Sequence, residues 1–305
     1  MPDVIHSKSI QNPQSELLDT GRQWRELPAI FERDVYERTL SMKKRMLTGL
    51  VMASAIAAML PAAVFAEDQL DKIKEEGKIV FAMEGTWAPW TYHDEDGNLT
   101  GYDTEVGRLI AEKLGVEAEF VEGEWDGLFA GLDSKRYDAV INGVEETEER
   151  AEKYDFSEPY AYIRTALVVR DDEEEIQTFE DLAGKTTANS FNSTYMYLAQ
   201  DYGAEVKNVD TLSETIDMLL SGRVDATLNA EVSIYDYLTV RPDAAIKIAA
   251  LTDDASEVSI PLRKGEESAS LKEAIDQAIT ELREEGELTK LSEQFFGSDI
   301  SGAEE

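Results

Sequence analysis

One nine-residue unit occurs twice in this chain. Ser134-Lys-Arg-Tyr-Asp-Ala-Val-Ile-Asn142 returns as Ser221-Gly-Arg-Val-Asp-Ala-Thr-Leu-Asn229. Each copy follows an apolar helical run, and each ends in a short strand tipped by Asn. A helix–turn–strand unit used twice predicts two α/β lobes of similar build. Ligands of open α/β sheets sit in the crevice beyond the carboxyl ends of the strands. Two such lobes facing each other would form a clamp. Chance recurrence of common residues is the alternative, and the rest of the chain counts against it.

Composition narrows the function classes. The 305 residues can hold about two domains, and their formal charge is −35. Nucleic acid and anionic membranes call for a basic patch, so neither is an expected partner. Cysteine is absent, which excludes a disulfide framework, a thiol nucleophile and a Cys-based metal site. Histidine is limited to His6 and His93, leaving little from which to build a Ser-His-Asp triad or a His-rich metal centre. The acidic run His93-Asp-Glu-Asp-Gly-Asn98 has its glycine too early for a calcium loop and reads as a turn. No metal and no cofactor is expected.

Met42-Lys-Lys-Arg-Met46 opens an export signal. An apolar run over residues 47–60 follows, then Pro61 and the small-residue end Val64-Phe-Ala66. The run is shorter than the roughly 20 residues a spanning helix needs. Residues 42–66 are therefore expected to be a signal peptide cut after Ala66. With no cysteine at the junction to carry a lipid, the product is expected in the periplasm. Residues 1–41 lack a sustained period and are taken as an upstream extension outside the mature protein.

Periodicity in the mature chain alternates strand and helix, the mark of α/β layering. Strands are expected at 78–82, 116–121, 139–141, 184–188 and 225–229. Asp103 reads as the N-cap of a helix carrying Val106, Leu109, Ile110 and Leu114 and closed by Gly115. Thr211-Leu-Ser-Glu214 fits a capping box before Ile216 and Leu219. Leu271, Ile275, Ala278, Ile279 and Leu282 share one helical stripe and read as core. No floppy linker separates the lobes.

The densest signal is Asn142-Gly-Val-Glu-Glu-Thr-Glu-Glu-Arg150, followed by Asp155-Phe-Ser-Glu-Pro-Tyr160. An α-carboxylate is best held by a planar, permanently charged, bidentate donor, which Arg supplies better than Lys. By spacing alone Arg150 serves equally well as an exposed partner of Glu146 or Glu149. Together with Glu84-Gly-Thr-Trp-Ala-Pro-Trp90, Gly101-Tyr-Asp103, Trp125 and Gln294-Phe-Phe-Gly297, these motifs resemble the amino-acid-binding family of extracytoplasmic solute-binding proteins that feed ABC importers. The resemblance runs from about residue 70 to 297.

The resemblance implies a two-lobe periplasmic-binding-protein-like α/β fold of type II, with two crossings between lobes. Lobe 1 would comprise residues 70–163 plus 257–297 and lobe 2 residues 164–256, with an acidic tail at 298–305. It assigns Arg150 to the ligand carboxylate, aided by Gly143 and by Asn192, Ser193 and Thr194 of the second lobe. Trp87 and Trp125 become aromatic walls, and Glu84 reaches toward the side chain or ammonium. Many relatives carry an Asp at the position of Ala230 to pair with the ligand ammonium. Its absence points to Glu145, or else Glu231, as the counter-charge, with Asn142 and Asn229 as polar readers. The segments 187–194 and 228–231 look most like cystine-type binders. A monomeric, non-enzymatic binding protein working with ABC importer membrane subunits is expected. The alternative is a periplasmic cyclohexadienyl (prephenate or arogenate) dehydratase-like enzyme on the same fold, with Glu84 or Glu145 as acid.

Overall fold

The computed structural model describes residues 68–302, which belong to one compact unit. The upstream extension and the signal segment lie outside the described residues. Two five-stranded sheets organise the chain. In the first, Glu117–Glu122, Lys78–Met83 and Ala139–Val140 run parallel, and Pro261–Arg263 and Tyr154–Phe156 complete the sheet with antiparallel pairings. In the second, Glu205–Asn208, Thr186–Asn189 and Ala226–Ala230 run parallel, and Thr165–Arg170 and Ile246–Leu251 follow antiparallel. The chain is a mixed α/β protein with two sheet-containing lobes.

The duplicated unit has a physical explanation. In the first sheet Asp138 accepts the Val80 N–H through Oδ2 at 2.9 Å, while its own N–H donates to the Val80 carbonyl at 2.8 Å. In the second, Asp225 does the same with Thr186, both bonds measuring 2.8 Å. Each repeated Asp thus fastens its strand to the middle of its sheet. Each repeat strand is third in the order, and the Asn that ends each repeat, Asn142 and Asn229, lines one shared cavity.

Two short strands, Ala161–Ile163 and Ser256–Val258, pair antiparallel beside the sheets. They precede Thr165–Arg170 and follow Ile246–Leu251, so the chain enters and leaves the second sheet by adjacent paths. Near them Arg164 makes a two-point contact with Glu231, Nε to Oε1 and Nη2 to Oε2, both 3.1 Å. Core packing in the first lobe centres on Phe81, Trp90, Tyr102 and Tyr160, all fully buried. Trp90 reaches across to the second lobe, its indole N–H donating to Ser233 Oγ at 3.1 Å. The stripe Leu271, Ile275, Ala278, Ile279 and Leu282 is buried along helix Glu266–Glu284, as its spacing requires. None of the described helices is long and apolar enough to cross a membrane.

Three local expectations are corrected. Asp103 is not an N-cap. It lies inside helix Tyr102–Leu114, whose cap is Gly101, and its carboxylate turns inward to long-range partners. Thr211 does cap helix Leu212–Leu220 by accepting the Glu214 N–H at 3.2 Å, but Glu214 reaches the N–H of Asp210 at 3.5 Å, so the box is not reciprocal. Finally, residues 298–302 are not a free tail. The Ile300 carbonyl accepts the Tyr162 N–H at 2.8 Å, and Ile300 and Ser301 are both buried.

Candidate functional site

Between the lobes lies a cavity of about 610 Å³, including its part open to solvent. Loops at the carboxyl ends of the parallel strands build both walls. Lys78–Met83 delivers Glu84 and Trp87, and Ala139–Val140 delivers Asn142, Gly143 and Glu145. From the second lobe, Thr186–Asn189 leads to Ser193 and Thr194, and Ala226–Ala230 supplies Asn229.

Glu84 and Asn142 are joined reciprocally. The Glu84 N–H donates to Asn142 Oδ1 at 2.8 Å, and Asn142 Nδ2 donates to Glu84 Oε2 at 2.7 Å. Asn142 is fully buried and holds Glu84 in place, rather than offering its oxygen to a ligand. Burial pushes the Glu84 carboxyl up to about 7, with the Asn142 hydrogen bond opposing the rise.

Gly143 has φ +54, and a Cβ there would stand 2.7 Å from the Trp87 ring. Its N–H donates to Asp103 Oδ2 at 2.6 Å, and Asp103 Oδ1 accepts the Tyr160 hydroxyl at 2.8 Å. Burial lifts Asp103 to about 7. Trp87 stacks on Trp90 with ring centres 5.4 Å apart, leaving its buried indole N–H without a partner.

Arg150 sits in helix Glu148–Lys153, capped by the Thr147 side chain. Its guanidinium lies 5.3 Å from the Trp125 ring centre and 5.6 Å from that of Phe129. Such contacts favour a cation and restrict its rotation. Nη1 donates to the Glu145 carbonyl at 2.8 Å, and Nη2 to the Asn192 carbonyl at 3.1 Å. Burial lowers its pKa from the ordinary value while the neighbouring Glu145 charge opposes this.

Glu145 is 6% exposed, so it is not a solvated acid like its neighbours in sequence. It bridges antiparallel to Val258, with the Ser259 N–H donating to Val144 O and the Glu146 N–H to Glu257 O. The N–H and C=O of Glu145 itself therefore point the other way, to the side where Arg150 lies. Its Oε1 accepts the Thr194 hydroxyl at 2.6 Å.

Of the residues singled out from sequence, all but Asn192 and Glu231 line this cavity. Asn192 (φ +58) is on an outer groove, contributing its carbonyl to Arg150 and accepting the Tyr197 hydroxyl. Glu231 is committed to Arg164 and away from the cavity wall. The Ser193 hydroxyl caps helix Thr194–Asp201, accepting the Met196 N–H and donating to Ser190 O. It is therefore the start of that helix, whose first N–H groups have no intrahelical acceptor, that faces the cavity. Asn229 Oδ1 accepts the neighbouring Ala230 N–H at 3.0 Å.

Sequence reasoning missed Asn189, Tyr195, Asp210 and Thr211, all on the wall. A signal for the last two existed. Trp125 begins the helix after edge strand Glu117–Glu122, and Asp210 and Thr211 precede the helix after the matching edge strand Glu205–Asn208. The duplication carried one step further would have found them.

Comparisons agree with this architecture. Residues 79–298 match the family of bacterial extracellular solute-binding proteins, family 3. The L-cystine-binding protein TcyA of Bacillus subtilis (strain 168) is 37% identical over 269 residues, covering 85% of this chain and 99% of that protein. An ancestral arginine-binding protein solved with arginine is similar at TM-score 0.68 and 36% identity, covering 72% of this chain and 99% of that one. The ancestral amino acid-binding protein AncCDT-1, a precursor of cyclohexadienyl dehydratase, also superposes at TM-score 0.68, with 27% identity over 74% of this chain and 99% of its own. By sequence match and by two-lobe fold, the chain belongs to the bacterial extracellular solute-binding proteins of family 3.

Proposed function

We propose that this protein captures a polar amino acid between its lobes and delivers it to the membrane subunits of an ABC importer. The observation that carries the reading is the pairing of opposite charges on one wall. Arg150, steadied by two aromatic rings, faces the same cavity as the buried carboxylate of Glu145. A zwitterion offers each the charge it lacks, and a desolvated charge without a partner is costly. Arg150 and the start of helix Thr194–Asp201 receive the α-carboxylate, Glu145 receives the α-ammonium, and Trp87 and Trp125 flank the side chain.

Cystine is the first ligand to test, because a relative of similar length carries that name. The two lobes comprise residues 70–163 with 257–297, and 164–256, and the ligand closes them about the paired links. The protein works as a monomer in the periplasm after its signal segment is removed. Thermal-shift screening of protein unfolded and refolded free of carried-over ligand, against all amino acids and cystine, tests the reading. A flat response to the entire set would sink it.

One observation favours a second reading. A dehydratase needs a carboxylic acid still protonated near neutral pH, and burial holds Glu84 at about 7. Formation of phenylpyruvate from prephenate, abolished in Glu84→Gln, would establish the enzyme. No product over the spontaneous rate leaves the binding protein.

A further inference from the structure

We infer that Asp103, which stands outside the cavity wall, is a positioning residue for ligand binding: its carboxylate holds the Gly143 peptide against Trp87 and ties it to Tyr160, where the chain sets out for the second lobe. The inference rests on the amino-acid reading and adds to it a residue set behind the wall.

Asp103 is fully buried, and its backbone N–H donates to the Trp90 carbonyl at 3.0 Å. The helix that carries it is thereby fixed on the loop that carries Trp87. Its two carboxylate oxygens then receive donors from two other segments, the Gly143 N–H on Oδ2 and the Tyr160 hydroxyl on Oδ1. Gly143 has left strand Ala139–Val140 and turns with positive φ, and the carboxylate serves its N–H where a strand neighbour no longer does. A Cβ at this position would strike the Trp87 ring, so the peptide that Asp103 orients is the surface on which that ring rests.

Tyr160 supplies the other end of the tie. It is fully buried and away from the cavity wall. Its N–H donates to the Val258 carbonyl at 2.9 Å, and its own carbonyl accepts the Tyr102 hydroxyl at 3.0 Å. Val258 is also the residue to which Glu145 bridges. Gly143 and Glu145, two residues of the wall, are therefore both referred to one point beside the paired links. Glu145 reaches it through its backbone, Gly143 through Asp103 and Tyr160. A buried carboxylate is costly unless its bonds are satisfied. Holding the Gly143 N–H alone needs only a neutral oxygen, whereas holding two segments together takes both oxygens of the carboxylate.

Calorimetry on refolded, ligand-free protein tests this with L-cystine and with the amino acid that gives the largest thermal shift, each variant's Tm being measured alongside. Tyr160→Phe removes one hydroxyl outside the cavity and should weaken binding about 10-fold, the size of one hydrogen bond. Asp103→Leu should weaken it at least as much, and adding Tyr160→Phe to it should cost nothing further, because the tie is already cut. Asp103→Asn is the rescue. Its amide oxygen still accepts the Gly143 N–H and its amide nitrogen donates to a Tyr160 hydroxyl turned to accept, so affinity should stay within about threefold of the parent. A residue that only holds the fold together would lower Tm in these variants and leave the affinity of the folded protein unchanged, and that result overturns the inference. Fluorine NMR of protein labelled with fluorotryptophan reads the same tie without ligand. The Trp87 resonance, identified by its loss in Trp87→Phe, should move in Tyr160→Phe and in Asp103→Leu but stay near its parent position in Asp103→Asn. If no amino acid binds the parent, the amino-acid reading falls. An unmoved Trp87 resonance would then take this inference with it, while a moved one shows that Asp103 positions the wall whatever the ligand.

Discussion

Across the cleft, the hydroxyl of Thr194 donates a hydrogen bond to the carboxylate of Glu145, 2.6 Å between oxygens. A second contact spans the same gap, from Arg150 Nη2 to the Asn192 carbonyl at 3.1 Å. Glu145 and Arg150 follow the first-lobe repeat strand, and Asn192 and Thr194 stand where helix Thr194–Asp201 begins. Residues proposed to grip the ligand are thus among those that join the lobes, beside the Trp90–Ser233 contact. Binding and closure are then one event, because a ligand between them adds bonds that exist only when the lobes meet.

Ligand should accordingly compact the protein. Small-angle scattering is expected to show a smaller radius of gyration at saturating ligand than in protein stripped of it. Thr194→Val, which removes one of the bridging contacts, should shift the ligand-free protein toward the more extended form. An unchanged radius on saturation would count decisively against closure.

Arg150 should be the most sensitive position for affinity. Truncating one side of a buried, hydrogen-bonded charge pair costs about 2–5 kcal/mol. Arg150→Ala is therefore expected to weaken binding by roughly 30-fold or more, at 1.4 kcal/mol per factor of ten. Arg150→Lys should also bind poorly. It keeps a charge but loses the planar fork and the stacking on Trp125 and Phe129. Calorimetry decides, and parent-like affinity in the Lys variant would show that charge alone suffices.

Much of this was legible because it repeats or is local. The duplicated Asp-Ala unit announced two similar sheets, and Asp138 and Asp225 do the same work in each. The stripe on Glu266–Glu284 needed only periodicity. Asp103 was misread because a local capping rule cannot see Gly143, forty residues on, whose N–H it accepts. Glu231 stands next to a strand end, as a cleft residue should, yet Arg164 draws it toward the links between lobes. Asn189 lay in the segment 187–194 that resembled cystine-type binders but was not singled out, because its bond to the Leu228 carbonyl depends on how two strands pair. Pairwise contacts of this kind arise only once the strands are side by side.

Glu84 should leave a mark on the pH dependence of stability. Its carboxyl moves from an ordinary 4.5 to about 7 on folding. Between those values the folded chain holds a proton that the unfolded chain releases. Stability of the ligand-free protein therefore falls as pH rises through that window, and burial of the charge weighs fully above it. Asp103 acts in the same direction. Glu84→Gln should flatten the decline in Tm between pH 5 and pH 8 (roughly the window these shifts define) without abolishing it, since Asp103 remains. Parallel Tm profiles for parent and variant would show that the Glu84 carboxyl is not desolvated.

The assignment of the ligand ammonium turns on Glu145 against Glu231. Glu145 lines the cavity, is 6% exposed and lies beside Arg150, whereas Glu231 is paired with Arg164 outside it. Glu145→Gln keeps the shape and the acceptor for Thr194 but removes the charge. It should weaken amino-acid binding by the cost of an unpaired ammonium, about 2 kcal/mol or more, while a des-amino analogue of the same ligand binds nearly as before. Glu231→Gln breaks the contact with Arg164 and should act on stability, changing both ligands alike. Calorimetry with the two ligands on the two variants gives four affinities, and their ratios separate a lost charge contact from a loosened fold. Should the amino-acid-to-des-amino ratio collapse in Glu231→Gln and hold in Glu145→Gln, the counter-charge is Glu231. The Glu231–Arg164 pair would then have to part when ligand binds.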